Sequence, residues 1–208
     1  RITSRLHAST GTSVVPSAVA VIVDRDGVLL SAGSGADMNT PFGIASLSKI
    51  FTSIIVLSLC QDGLMRLDDP VERYVPGIFS VPSGVDHGRV TVHHLLAHTS
   101  GIPSTAPNRE PVPVVYPGGT CYEYANAGYC ILKKVIEKAS SRSYEELVRE
   151  RIFIPLSMTS SRADCSNGTG GIISTAADLS RFAMMLIKRG TLDGYRILTE
   201  DSFDEMLA

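Results

Sequence analysis

Residues 42–63 constrain this chain more than any other stretch. Ile50, Ile54 and Leu57 recur at helical spacing, and Gly63 stands where a helix C-cap is expected. At the mouth of this apolar segment lies Phe42-Gly43-Ile44-Ala45-Ser46-Leu47-Ser48-Lys49, which carries the pattern Ser-x-x-Lys. With a helix starting near Ser46, Lys49 falls one turn on and on the same face. The Ser46 hydroxyl then sits beside an amine at the positive end of a helix dipole. A serine hydroxyl is a poor nucleophile until a neighbouring base takes its proton. A lysine can be that base only when partial burial or a cationic neighbour lowers its pKa from about 10.4. The same four residues also describe a helix cap followed by a solvated charge, so the spacing alone leaves both readings open.

Bulk properties narrow the field. The 208 residues suit one large domain or two small ones, and 44% hydrophobic content suffices for a core. A net charge of -2 with no basic run argues against nucleic acid and anionic membrane surfaces as partners. The longest apolar run, within residues 54–60, is too short to cross a bilayer. No cleavable signal is visible, although a chain that begins with Arg1 leaves room for a leader already removed. Cys60, Cys121, Cys130 and Cys165 lack zinc-type spacing, and one disulfide or four thiols both remain open.

Along the chain, residues 1–12 read as a polar helix end or loop. Residues 14–23 and 28–33, joined by Asp24-Arg25-Asp26-Gly27, predict a β-hairpin. Its first strand is apolar almost throughout, as expected of a strand covered on both faces. The helix after Ser46 should end near residues 61–63. A loop and short helix follow over 64–75, with Asp69 as cap and Pro70 in the first turn. Residues 91–98 predict a short helix capped by Thr91. Pro103, Pro107, Pro111, Pro113 and Pro117 make regular structure over 103–119 unexpected. Residues 126–139 form an amphipathic pattern, with Ile131, Leu132, Val135 and Ile136 opposite Lys133, Lys134, Glu137 and Lys138. Residues 143–152 predict another helix with a Ser143/Glu146 capping box. Ile172-Ile173 reads as a strand. Ser174 or Thr175 caps a helix through Lys188, with Phe182, Met185 and Leu186 inward and Gly190 ending it. A turn at Asp193-Gly194 leads to a final helix capped by Thr199.

Tyr124-Ala125-Asn126 is a second candidate for chemistry. A tyrosine ionises near pH 10, but beside a lysine it can be partly phenolate, take a serine proton and pass it to a leaving group. Asn126 offers a carbonyl and an amide with which to grip a substrate amide. A core tyrosine followed by an N-capping asparagine would produce the same triplet. Tyr129-x-x-x-Lys133 matches the Tyr/Lys pair of short-chain dehydrogenases, but Ser34-Gly35-Ala36-Asp37 supplies no Gly-rich phosphate turn. His94 and His98 stand four apart like zinc ligands. They lack the intervening glutamate of a His-Glu-x-x-His site and an obvious third ligand, so packing or capping is the expected role.

Taken together, five motifs in order resemble the serine β-lactamase-related family. These are Ser46-x-x-Lys49, Leu95-Leu96-Ala97-His98-Thr99-Ser100-Gly101, Pro117-Gly118-Gly119, Tyr124-x-Asn126 and Gly170-Gly171-Ile172-Ile173-Ser174-Thr175-Ala176-Ala177-Asp178-Leu179. The family includes class C β-lactamases, D-alanyl-D-alanine carboxypeptidases, D-aminopeptidases and β-lactamase-like esterases, and the resemblance runs from about Ala18 to the end of the chain. It implies an α+β fold in which an antiparallel sheet flanked by helices adjoins a helical region. It also implies a serine hydrolase working through an acyl-enzyme on an amide, β-lactam or ester carbonyl. Ser46 would be the acylated nucleophile, Lys49 its partner, Tyr124 the general base and acid, and Asn126 a substrate contact. The Ser46 backbone N–H would form half of an oxyanion hole. The resemblance implies no metal or organic cofactor, a small-molecule or short-peptide substrate, and an extracytoplasmic location.

Three departures qualify that expectation. The family's later Lys-Thr-Gly or His-x-Gly motif is absent. The N-terminal hairpin lacks the C-terminal strands it should pair with, and a lone hairpin is marginal. The connections around residues 35–40, 104–115 and 163–169 are shorter than usual. The expectation is therefore one incomplete catalytic domain over 1–208. Residues 1–45 would give the hairpin of the α/β region, 46–165 a mainly helical region with the motifs, and 166–208 a return to the α/β region. The contrasting reading is a homologue that keeps the fold to bind or scaffold, trapping acyl groups without turnover, because fold alone does not fix function.

Overall fold

The apolar run forms a helix over Ser48–Gln61 that is buried nearly all round, with Phe51, Ile54, Ile55, Val56 and Leu59 fully enclosed. A helix apolar on every side belongs inside a core. The computed structural model describes residues 10, 15–81, 89–164 and 171–207. In chain order the elements are β1 (Ala18–Val23), β2 (Val28–Ser34), β3 (Phe42–Gly43), α1 (Ser48–Gln61), β4 (Phe79–Ser80), α2 (Val92–Leu96), β5 (Val112–Pro113), α3 (Asn126–Ser140), α4 (Tyr144–Val148), β6 (Arg162–Asp164), β7 (Gly171–Ser174), α5 (Ala176–Ile187), β8 (Thr191–Leu192), β9 (Tyr195–Arg196) and α6 (Glu200–Leu207). Helices and antiparallel pairs thus mix in an α+β fold. The expectations for residues 1–9, 11–14 and 165–170, with Cys165 and Thr169-Gly170 among them, lie outside the described residues.

The chain divides into two compact units, one of residues 1–45, 149–163 and 172–208 and one of 46–148 and 164–171. In the second, α1 packs on α3 and α4, and α2 packs on α3. Ile131, Leu132, Val135 and Ile136 of α3 are buried, on the face the periodicity predicts. Tyr144 is almost wholly enclosed, and its hydroxyl lies 2.9 Å from Thr52 Oγ1, which satisfies a polar atom that would otherwise be costly to bury. α1 ends in a Schellman turn. The N–H of Gly63, at φ +70, donates to Cys60 O, and that of Leu64 donates to Leu59 O. No disulfide joins Cys60, Cys121 or Cys130.

Local capping follows the sequence closely. Thr91 accepts from His94 N–H, and the His94 side chain accepts from Thr91 N–H. Ser143 and Glu146 cap α4 reciprocally at 3.2 Å. The helix expected over 143–152 is α4 followed by a π-helical turn at Arg149–Phe153. Asp69 does not cap the following turn. Its carboxylate accepts from Arg66 N–H, Arg73 Nη1 and Tyr74 Oη, and Pro70 takes the N-cap position before a 3-10 turn at Val71–Arg73. Proline density does not exclude all pairing either: β5, within the Pro-rich stretch, runs parallel to β4 for two residues.

In the first unit, β1 and β2 form the predicted antiparallel hairpin. Asp24 accepts from the N–H groups of Asp26 and Gly27 in its turn. The expectation of a strand covered on both faces is not met. α5 packs against β1, yet Ile22 of that strand is exposed and its other residues are only half-buried; on β2, Val28, Leu29 and Leu30 are exposed, Leu29 by 65%. β7 lies between β3 and β6, antiparallel to β3. Thr175 caps α5, whose Phe182 and Met185 are buried while Leu186 is half-buried. The left-handed residue closing α5 is Arg189, at φ +54, with Gly190 following at +88. Thr199 accepts from Ser202 N–H at the start of α6.

Candidate active site

Ser46 sits in a 3-10 turn, Ala45–Leu47, immediately before α1, and Ala45 holds φ +47 in the left-handed region. Lys49 follows in the first turn of α1, three residues on. Tyr124 and Asn126 come from the end of the Pro/Gly loop and the first residue of α3. Gly118 lets that loop lie close to α2, since a Cβ there would stand 2.5 Å from His94 Nδ1, and Gly101, at φ +78, leaves room for the Tyr116 carbonyl. The Glu123 carboxylate, one residue before Tyr124, accepts from Ser104 N–H and Tyr116 Oη.

The four side chains meet. Ser46 Oγ lies 2.7 Å from Tyr124 Oη. Lys49 Nζ donates to Ser46 Oγ at 3.3 Å and to Asn126 Oδ1 at 2.9 Å. The ammonium also lies 4.9 Å from the Tyr124 ring centroid and 5.3 Å from that of Tyr129, within cation–π range. Ser46 and Asn126 are exposed, and Lys49 is half-buried. Burial pulls the Tyr124 phenol upward. The hydrogen bonds of Lys49 and Ser46, together with the Lys49 charge, outweigh that and hold it below its ordinary value of 10. The competing arrangements are not adopted. Ala125, not Asn126, is the N-cap of α3, and the Tyr124 ring is 39% exposed rather than in the core.

The remaining candidates take structural places. His94 Nδ1 accepts from Thr91 N–H, and His98 Nδ1 accepts from Ala125 N–H at 3.1 Å. Among the described residues, no group of three or more His, Cys, Asp or Glu could hold a metal ion. Tyr129 Oη donates to Leu96 O, and Lys133 Nζ lies 5.9 Å over the Tyr144 ring, so each member of the dehydrogenase-like pair is engaged elsewhere. No helix among the described residues is long and apolar enough to cross a membrane.

A sequence model of the family described as Beta-lactamase matches residues 4–206. The chain belongs to the beta-lactamase family. This family is one of serine hydrolases. The chain is similar to Penicillin-binding protein 4* of Bacillus subtilis (strain 168), 32% identical over 145 residues, covering 60% of this chain and 31% of that protein. Protein flp of Staphylococcus aureus (strain NCTC 8325 / PS 47) is 29% identical over 171 residues, covering 70% of this chain and 34% of flp. The chain therefore spans about a third of the length of these curated relatives. The octameric penicillin-binding protein homologue from Pyrococcus abyssi superposes with a TM-score of 0.76 at 27% identity, over 90% of this chain and 55% of that one.

The packing role expected of His98 proves to be against a residue of this cluster. His98 stacks on Tyr124, with ring centroids 4.4 Å apart. The signal was the position of His98 in the Leu95–Gly101 motif, but its contacts join residues 27 apart in the chain and depend on a φ of +56.

Proposed function

We propose that this protein is a serine acyl-transfer enzyme that works through a covalent intermediate on Ser46. The observation that carries the reading is the 2.7 Å contact of Ser46 Oγ with Tyr124 Oη, with Lys49 bridging Ser46 and Asn126. Ionised Tyr124 takes the Ser46 proton as Oγ bonds to the substrate carbonyl carbon. The carbonyl oxygen becomes an oxyanion, which the Ser46 backbone N–H accommodates as one donor. Tyr124 then returns the proton to the departing nitrogen or oxygen, and the C–N or C–O bond breaks. Water or another acceptor, deprotonated by the same phenolate, then bonds to the acyl carbon; the bond to Ser46 Oγ breaks and Tyr124 returns the proton to that oxygen. Lys49 favours the phenolate through its hydrogen bond and charge and fixes Asn126 by its carbonyl. The Asn126 amide NH2 is then the group it offers to a substrate carbonyl.

The substrate class follows from this chemistry as an amide, β-lactam or ester. The names Penicillin-binding protein 4* and "penicillin-binding protein homologue" among the relatives favour a β-lactam or the peptide that one mimics. The test is the intact mass of the protein after exposure to benzylpenicillin and, separately, to p-nitrophenyl acetate. The expected result is an acyl adduct mapping to Ser46, or hydrolysed probe, with neither formed by Ser46→Ala. Retained turnover in Ser46→Ala, or neither adduct nor hydrolysis in the wild type, overturns the proposal.

A further inference from the structure

We propose that His98 is a positioning residue that holds Tyr124 in register with Ser46, an inference that rests on the acyl-transfer reading above. The geometry is that of a clamp made by one residue. The His98 carbonyl accepts from Glu123 N–H at 2.8 Å, and His98 Nδ1 accepts from Ala125 N–H at 3.1 Å. The backbone donors on either side of Tyr124 are thus both held by His98. Its imidazole also lies 4.4 Å from the Tyr124 ring at an interplanar angle of 30°. Tyr129 backs the imidazole at 5.2 Å, and Tyr122 meets it edge-on at 6.0 Å.

The backbone of His98 is adapted to this role. It holds φ +56, a conformation that non-glycine residues adopt uncommonly and that Asn, Asp and His tolerate best. Thr99 N–H donates to His94 O and His98 N–H to Leu95 O, so the end of α2 fixes this geometry from the other side. Nδ1 can accept from Ala125 only while that nitrogen carries no proton. The groups facing the imidazole are Lys49 from α1, Tyr129 from α3, and Tyr122 and Tyr124 from the loop; His94 lies in α2, just before it. Among them only Lys49 is cationic. Burial, and then the Lys49 charge, hold the imidazole below its ordinary 6.5, which keeps it in the accepting form at neutral pH.

Two substitutions separate positioning from folding, because both residues tolerate positive φ. His98→Gly removes the ring and its acceptor. His98→Asn removes the ring but restores a side-chain acceptor. We expect His98→Gly to lower the Ser46 acylation rate about 10–100-fold with KM nearly unchanged, the scale on which a misplacement of about 1 Å acts. His98→Asn should recover a large part of that loss. Amide hydrogen exchange at Ala125 should accelerate in His98→Gly and be reprotected in His98→Asn, while Glu123, held by the backbone carbonyl that both variants keep, should stay protected. An acylation rate in folded His98→Gly equal to wild type overturns the proposal, as does equal loss in both variants. Exchange is read without substrate: a wild type that never acylates refutes the acyl-transfer reading, whereas unchanged Ala125 exchange in His98→Gly refutes the clamp itself.

Discussion

One apolar element in each unit, α1 in the one and the β1–β2 hairpin in the other, meets an opposite fate. The unit of residues 46–148 encloses α1 nearly all round and carries the four candidate residues on the 3-10 turn before α1, on α1, on α3 and on the loop before α3. In the unit containing residues 1–45, an equally apolar hairpin keeps Ile22, Val28, Leu29 and Leu30 exposed. The contrast teaches that apolar content in this chain does not by itself report burial. A helix needs neighbours on its stripe, and α1 finds them within about a hundred residues of chain. A strand needs partners on two edges and cover on two faces, and among the described residues β2 pairs only with β1.

The sharpest way to break the comparison is chemical. If the chemistry resides in the 46–148 unit, Ser46→Ala should abolish acylation. Lys49→Ala and Tyr124→Phe should each reduce kcat by orders of magnitude with little change in KM, as measured by stopped-flow with a chromogenic ester. Next in size is the core. Ile54→Ala should cost about 2–5 kcal/mol in urea unfolding, because it opens a cavity in a fully enclosed site. Asp69→Asn should cost about 2 kcal/mol, since the buried carboxylate accepts three hydrogen bonds.

Asp69 also gives a pH dependence with a definite sign. Burial raises its carboxyl, but the bonds from Tyr74, Arg66 and Arg73 outweigh that and hold it below its ordinary 3.8. Its contribution to stability is therefore full above 3.8 and lost as pH falls through the lower folded value. The wild-type advantage over Asp69→Asn in Tm should shrink on acidification below pH 4, and an advantage that grows there would contradict the assignment. Smaller still, Thr91→Ala should cost about 1 kcal/mol by removing the cap of α2. At the bottom of the scale, Leu29→Ala on the exposed hairpin should change unfolding free energy by no more than about 0.5 kcal/mol. A Leu29 effect as large as that of Ile54 would erase the distinction between the units.

What the sequence made legible was what is decided within a turn or two of chain. The α1 and α3 periodicities, the Thr91, Thr175 and Thr199 caps, the Ser143/Glu146 box and the Asp24–Gly27 turn are all local, and all are present. The convergence of Ser46, Lys49, Tyr124 and Asn126 joins residues nearly 80 apart, and it was expected through the family's motif order rather than from spacing. Less visible was whatever depends on a distant partner without a motif. The β4–β5 pairing spans a Pro-rich stretch, Asp69 turns back to Arg66 and onward to Arg73 and Tyr74, and the covering of the hairpin depends on packing that alternation cannot report. The His98 clamp belongs with these, since it needs both a left-handed backbone and a contact 27 residues away.

The all-round burial of α1 has a consequence for anyone who would retarget this protein. Ser46 stands just before, and Lys49 in the first turn of, a helix whose residues 51–59 are buried save for the half-buried Ser53, so mutational libraries over 51–59 would mostly yield destabilised variants. Residues 104–111 and 120–122 are nearly all exposed and lie in the loop that delivers Tyr124. Variation there can reshape what approaches the serine while leaving it in place, which makes that loop the productive region to randomise.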